Sequence, residues 1–105
     1  MNYFSIPGMP RLNTADFGSV LTLVCHEFKV SITDVVSKNR QRYCVEPRHI
    51  VMWIMCKYCG KGRVEVGSLF KVHWTTVVSA HQTVDDLMHS NQQYKKRIYK
   101  ILSMF

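Results

Sequence analysis

The middle of the chain sets the strongest constraint. Every residue from Ile50 to Cys56 is apolar, and Ile50, Val51, Ile54, Met55 and Tyr58 share one helical face that Met52 and Trp53 widen. A helix apolar round most of its girth must be enclosed by other elements. The rest of the sequence supplies them. Phe17, Val20, Leu21, Val24 and Phe28 fall on one helical stripe. Val77, Ala80, Val84, Leu87 and Met88 form a second, and Tyr94, Ile98, Ile101, Leu102 and Phe105 a third. No strand-type alternation, internal repeat or low-complexity tract interrupts them. The pattern predicts an all-α fold of five to six helices. With 105 residues, 47% of them hydrophobic, the chain can build one such core and not two. No apolar run approaches the about 18 residues of a membrane span, so no spanning helix is expected.

Breaker and capping residues place the boundaries. Pro7, Gly8 and Pro10 mark residues 1–12 as an extended arm, with the domain proper over 13–105. Asn13 or Thr14 is positioned to cap the first helix. Ser31-Ile32-Thr33-Asp34 is a capping-box variant that opens a short helix to about Val36 or Ser37. Ser37 to Arg42 is polar and basic with no hydrophobic period, and reads as a loop or frayed turn. Pro47, preceded by Glu46, reads as the first position of the central helix, which Gly60 and Gly62 end. A short helix over about 63–70 precedes a longer one over about 73–89, and Ser90 or Asn91 caps the last.

Charge narrows the partners. The net charge is +7, and residues 38–71 hold eight of the 14 basic side chains against only Glu46 and Glu65. Such a surface attracts polyanions, nucleic acid first and acidic membranes or proteins second. The alternative is a solubilising bias. Seven acids in the whole chain leave little for a carboxylate active site or an acidic Mg²⁺ site. No short-range Ser-His-Asp or Cys-His arrangement and no Gly-rich phosphate loop ending in Lys-Ser/Thr is present. The expectation is a non-enzyme with no cofactor and no bound nucleotide. Met1 to Ser5 lacks the basic-then-apolar layout of a secretory signal, so Cys25, Cys44, Cys56 and Cys59 are expected to be reduced thiols in a cytoplasmic protein. Cys56-x-x-Cys59 would need Cys44 or His49 at odd spacing to complete a zinc site. Packing of small thiols in the core is the simpler reading, and no metal is expected.

The helix pair over about 63–70 and 73–89 is a helix-turn-helix candidate. Its second helix can enter a major groove N-terminus first, because its core stripe begins only at Val77 and leaves His73, Trp74, Thr75 and Thr76 to face outward. Threonine hydroxyls bond phosphates or bases, and their methyls touch the thymine methyl. Other roles suit the same residues: His73 as a helix cap, Trp74 as a core residue, Arg40 as a solvated loop charge.

The residues from Lys29 to Arg42 (Lys-Val-Ser-Ile-Thr-Asp-Val-Val-Ser-Lys-Asn-Arg-Gln-Arg), then Pro47-Arg48-His49-Ile50-Val51-Met52, Val66-Gly67-Ser68-Leu69-Phe70 and Thr75-Thr76-Val77 together resemble the C-terminal DNA-binding domain of the bacterial replication initiator DnaA. The likeness runs over roughly residues 16–103. It implies a Trp-repressor-like helix-turn-helix fold with an inserted basic loop, double-stranded DNA as partner, and a role in replication initiation or its regulation, with a replication protein as a second partner. Carried over residue by residue, Arg40 takes the minor-groove position, Arg48 the base-reading position at the start of the long helix, and Thr75 and Thr76 the Thr-Thr pair of the signature. Lys38, Arg42, Lys57, Lys61, Arg63 and Lys71 are candidate phosphate contacts on charge and location. His73-Trp74 stands where the family has Asp-His, and Glu46 where a second Arg is frequent. These departures predict a readout other than the standard initiator box: a different sequence, little specificity, or a protein-interaction module that keeps the fold without the readout.

Overall fold

The computed structural model describes residues 16–38 and 40–104. The arm over 1–12, the Asn13 and Thr14 caps and Phe105 lie outside the described residues. Those described form six helices and no strand: α1 (Phe17–Phe28), α2 (Ile32–Val36), α3 (Arg42–Lys57), α4 (Arg63–Phe70), α5 (Trp74–Ser90) and α6 (Gln92–Leu102). The fold is all-α, as the stripes predict.

The central helix is α3. Its residues from Ile50 to Met55 are all buried, and α1, α2, α4 and α5 pack around it while α6 closes across α5 and α1. Trp53 is the largest enclosed side chain; its indole N–H donates to Asp85 Oδ1 of α5 at 2.8 Å, which satisfies the one polar atom that burial would otherwise strand. Lys100 Nζ meets Glu27 Oε1 at 3.1 Å and the Arg97 guanidinium lies 4.0 Å from the Phe28 ring centroid, fastening α6 to α1.

Several boundaries differ from expectation. Asp16 caps α1, its Oδ1 accepting from the Ser19 N–H at 2.7 Å, and that bond holds the carboxyl below its ordinary pKa. Helix α3 begins at Arg42, so Pro47 sits inside it rather than at its first position. The reason is packing. Cys44 is fully buried, and the Gln41 carbonyl accepts from both the Cys44 and Val45 N–H groups, which draws the preceding turn into the helix. Pro47 there deletes one ladder bond, and its fixed φ is already helical. The basic loop therefore ends at Gln41, before Arg42 opens α3.

Other signals hold. Ser31 Oγ accepts from the Asp34 N–H at 3.2 Å, Asn91 Oδ1 accepts from the Tyr94 N–H at 3.1 Å, and Gly60 carries a φ of 70° beyond α3. Helices α1 and α4 end alike, on Lys29 (φ 56°) and Lys71 (φ 58°) in the left-handed region, with Val30 N–H returning to the Cys25 carbonyl and Val72 N–H to that of Gly67. The four cysteines are free; Cys25, Cys44 and Cys59 are buried, and burial pushes the Cys25, Cys56 and Cys59 thiols up. Among the described residues no helix is long and apolar enough to cross a membrane, and no group of three or more ligating side chains could hold a metal ion.

Candidate nucleic-acid interface

Helices α4 and α5 meet through the three residues Lys71, Val72 and His73. The approach is close at Gly67, where a Cβ would stand 2.8 Å from the Val72 carbonyl oxygen and 3.5 Å from the Trp74 Cα. Only glycine admits that crossing. His73 is the N-cap of α5: its Nδ1 accepts from the Thr75 N–H at 3.2 Å and lies 2.8 Å from Thr75 Oγ1. The Trp74 ring lies beside that of His73, centroids 5.3 Å apart, and the Arg63 guanidinium lies 4.9 Å from the Trp74 centroid. Trp74 is 40% exposed and is not a core residue.

Behind this N-terminus, Thr75, Thr76, Ser79 and Thr83 are all exposed and, with His49 of α3, line a shallow groove of about 450 Å³. Burial, and then the neighbouring Arg48 charge, hold the His49 imidazole below its ordinary pKa, so it is neutral at pH 7. Sequence reasoning singled out Thr75 and Thr76 and missed Ser79, Thr83 and any groove role for His49. The signal was present: Thr75, Ser79 and Thr83 recur every fourth residue, off the Val77, Ala80, Val84 core stripe.

Arg48 does not project from the surface. Its Nε donates to the Val35 carbonyl at 2.7 Å, and its Nη2 to the carbonyls of Ser37 at 2.8 Å and Asp34 at 3.4 Å. Helix α2 is five residues long, so its last carbonyls have no helical partner, and a guanidinium fork from α3 satisfies them. Partial burial draws the Arg48 pKa below its ordinary value, which leaves it charged at any ordinary pH. The basic loop thus springs from a fixed post. Lys38 and Arg40 on the loop and Arg42 in the first turn of α3 are exposed.

The remaining basic candidates divide. Lys57 Nζ lies 3.7 Å from Asp85 Oδ1 and over the Trp53 ring, and Lys61 Nζ lies 3.4 Å from Glu65 Oε2. Lys61 and Arg63 line a second groove of about 570 Å³ with Val78, His81, Gln82 and Asp85, on the other flank of α5 from the hydroxyl groove. Lys71 is exposed at the turn. These basic side chains thus lie on the loop, at the turn and along one flank of α5.

A short helix, a three-residue turn packed against a glycine of that helix, and a second helix with a polar exposed face define a helix-turn-helix domain. The family model described as the bacterial dnaA protein helix-turn-helix matches residues 18–84, from α1 through most of α5. The chain belongs to that family. It is similar to the chromosomal replication initiator protein DnaA of Bdellovibrio bacteriovorus, with 34% identity over 88 residues, covering 82% of this chain and 18% of that protein. It is also similar to those of Thermomicrobium roseum (31% over 83 residues, 78% of this chain and 18% of that protein) and Onion yellows phytoplasma (31% over 83 residues, 79% and 16%). The chain thus spans less than a fifth of the length of these relatives.

Proposed function

We propose that this chain binds double-stranded DNA sequence-specifically, without catalytic activity, and serves replication initiation or its control in the cytoplasm. The observation that carries the reading is the exposed hydroxyl face of α5, whose groove holds His49, next in the chain to the Arg48 that grips the first residue of the basic loop. Helix α5 enters the major groove N-terminus first, where His73, Trp74, Thr75 and Thr76 meet base edges. The Arg40 guanidinium lies in the adjacent minor groove, whose negative potential favours it. Lys38, Arg42, Arg63 and Lys71 neutralise phosphates, while Lys57 and Lys61 contribute less because Asp85 and Glu65 share their charge. Arg48 acts as a positioning residue in this reading rather than as a reader of bases. The chemistry needs no nucleotide, metal or cofactor.

Selection of bound sequences from random duplexes, followed by anisotropy titrations at several salt concentrations, tests this. The four phosphate-facing cations and Arg40, five exposed charges at about −0.9 each, give a slope of log K against log[salt] of about −4 to −5. Arg40→Ala is expected to weaken binding by about 1–3 kcal/mol. No binding to any duplex at low salt overturns the reading. A second reading rests on Trp74 and Val78, each 40% exposed and one turn apart on α5: exposed tryptophan is a common interface anchor, and a stable protein complex lost in Trp74→Ala, with duplexes ignored, selects a protein-docking module.

A further inference from the structure

The cap on α5 selects the tautomer of an exposed neutral imidazole. His73 Nδ1 accepts the Thr75 N–H, so it carries a lone pair, and the Thr75 hydroxyl 2.8 Å away donates to the same atom. The ring proton of the neutral imidazole is then on Nε2. His73 thus presents to solvent one N–H donor and no acceptor. The ring cannot turn over without losing the cap, and the Trp74 ring 5.3 Å away, itself faced by the Arg63 guanidinium, restricts it further. A fixed donor at the leading end of a groove-binding helix discriminates among bases. In the major groove guanine offers two acceptors, N7 and O6, adenine offers N7, thymine offers O4, and cytosine offers only the N4 donor.

We propose that His73 is a specificity-determining residue that selects guanine and rejects cytosine at the base it faces, with Trp74 positioning its ring. This rests on the DNA-binding reading above. The test is selection from random duplexes with the whole chain and two variants that both keep an N-cap acceptor. His73→Asn retains a side-chain N–H donor, and His73→Asp has none. Guanine is expected over cytosine by about fivefold or more at one position for the natural chain and for His73→Asn. His73→Asp is expected to reverse that preference at the same position and leave the others unchanged. Thermal melting establishes that both variants are folded. A natural chain that binds duplexes but shows the same preference as His73→Asp, or prefers cytosine at that position, overturns the assignment of His73 alone. A folded natural chain that binds no duplex overturns the DNA-binding reading, and this proposal with it.

Discussion

Arg48 separates a residue that reads DNA from one that holds the reader. Replacing it by alanine removes the 2.7 Å bond to the Val35 carbonyl and the 2.8 Å bond to that of Ser37; the 3.4 Å contact with the Asp34 carbonyl is too long to count for much. A bond from a charged donor contributes about 1.5–3 kcal/mol, less where water can replace it. Val35 is buried and Ser37 exposed, so about 1.5 kcal/mol for the first and about 1 for the second is reasonable, giving a loss of about 2–3 kcal/mol. In a domain of this size that lowers Tm by about 10–20 °C. Arg48→Lys keeps the charge without the planar fork and is expected to recover less than half of the loss. Arg40→Ala, at an exposed loop position, is expected to leave Tm within about 2–4 °C. The assay is thermal melting by circular dichroism of the three variants at one ionic strength, paired with duplex affinities well below the lowest midpoint. Both arginine-to-alanine changes weaken binding, but only Arg48→Ala lowers Tm, and it does so without altering base preference. An unchanged Tm in Arg48→Ala together with a shifted base preference would refute the reasoning, because the guanidinium would then be reaching a base and not the α2 carbonyls.

Other consequences follow from single observations. Gly67→Ala drives a methyl to 2.8 Å from the Val72 carbonyl oxygen, so a loss of about 1–3 kcal/mol in urea unfolding is expected as the helix-turn-helix crossing opens. Lys29→Gly relieves the left-handed backbone at φ 56° and is expected to stabilise by about 0.5–1 kcal/mol, read as a higher denaturant midpoint with unchanged slope. Asp85→Ala strands the buried Trp53 indole N–H and is expected to cost about 1–3 kcal/mol, while Asp85→Asn, which keeps an acceptor, costs less. In the fold, burial and then the neighbouring Arg48 charge lower the pKa of His49 below its ordinary value of about 6.5. Below pH 6.5 the unfolded chain takes up the proton first, so the stability that neutral His49 contributes is present in full above that pH and is lost as pH falls through the lower folded value. The ring's titration by NMR checks the direction.

What the sequence disclosed tracks the kind of force involved. The four apolar stripes, the central place of α3 and the Ser31 and Asn91 caps were all legible, because burial periodicity and capping are local in sequence. The start of α3 was not. Pro47 gives a strong helix-start signal, but the burial of Cys44 outweighs it, and burial depends on neighbours far along the chain. The left-handed ends at Lys29 and Lys71 carry no glycine and so gave no signal. In the site, Thr75 and Thr76 were legible as outward residues ahead of the core stripe. The seat of Arg48 was not, since a guanidinium that meets carbonyls 11 to 14 residues back in the chain is a tertiary fact.

One helix carries both halves of the candidate interface. Arg48 and His49 are consecutive in α3, about 100° apart around its axis. Arg48 grips the end of α2 from which the basic loop departs, and His49 lies in the groove under Thr75, Thr76, Ser79 and Thr83. The following residues, Ile50 to Met55, are all buried, so the helix that joins the two has almost no freedom to shift. The spacing between loop and α5 is therefore a property of the core, and a duplex bound by both must present its grooves at that spacing. A core change that tilts α3, such as Ile54→Ala, should weaken binding further than Arg40→Ala does once the loss of folded protein is corrected for. Loop and helix would then no longer fit the duplex at once. If Ile54→Ala, compared at equal folded fraction, bound duplex with unchanged affinity, the two halves would be acting independently and the loop would contribute only its charge.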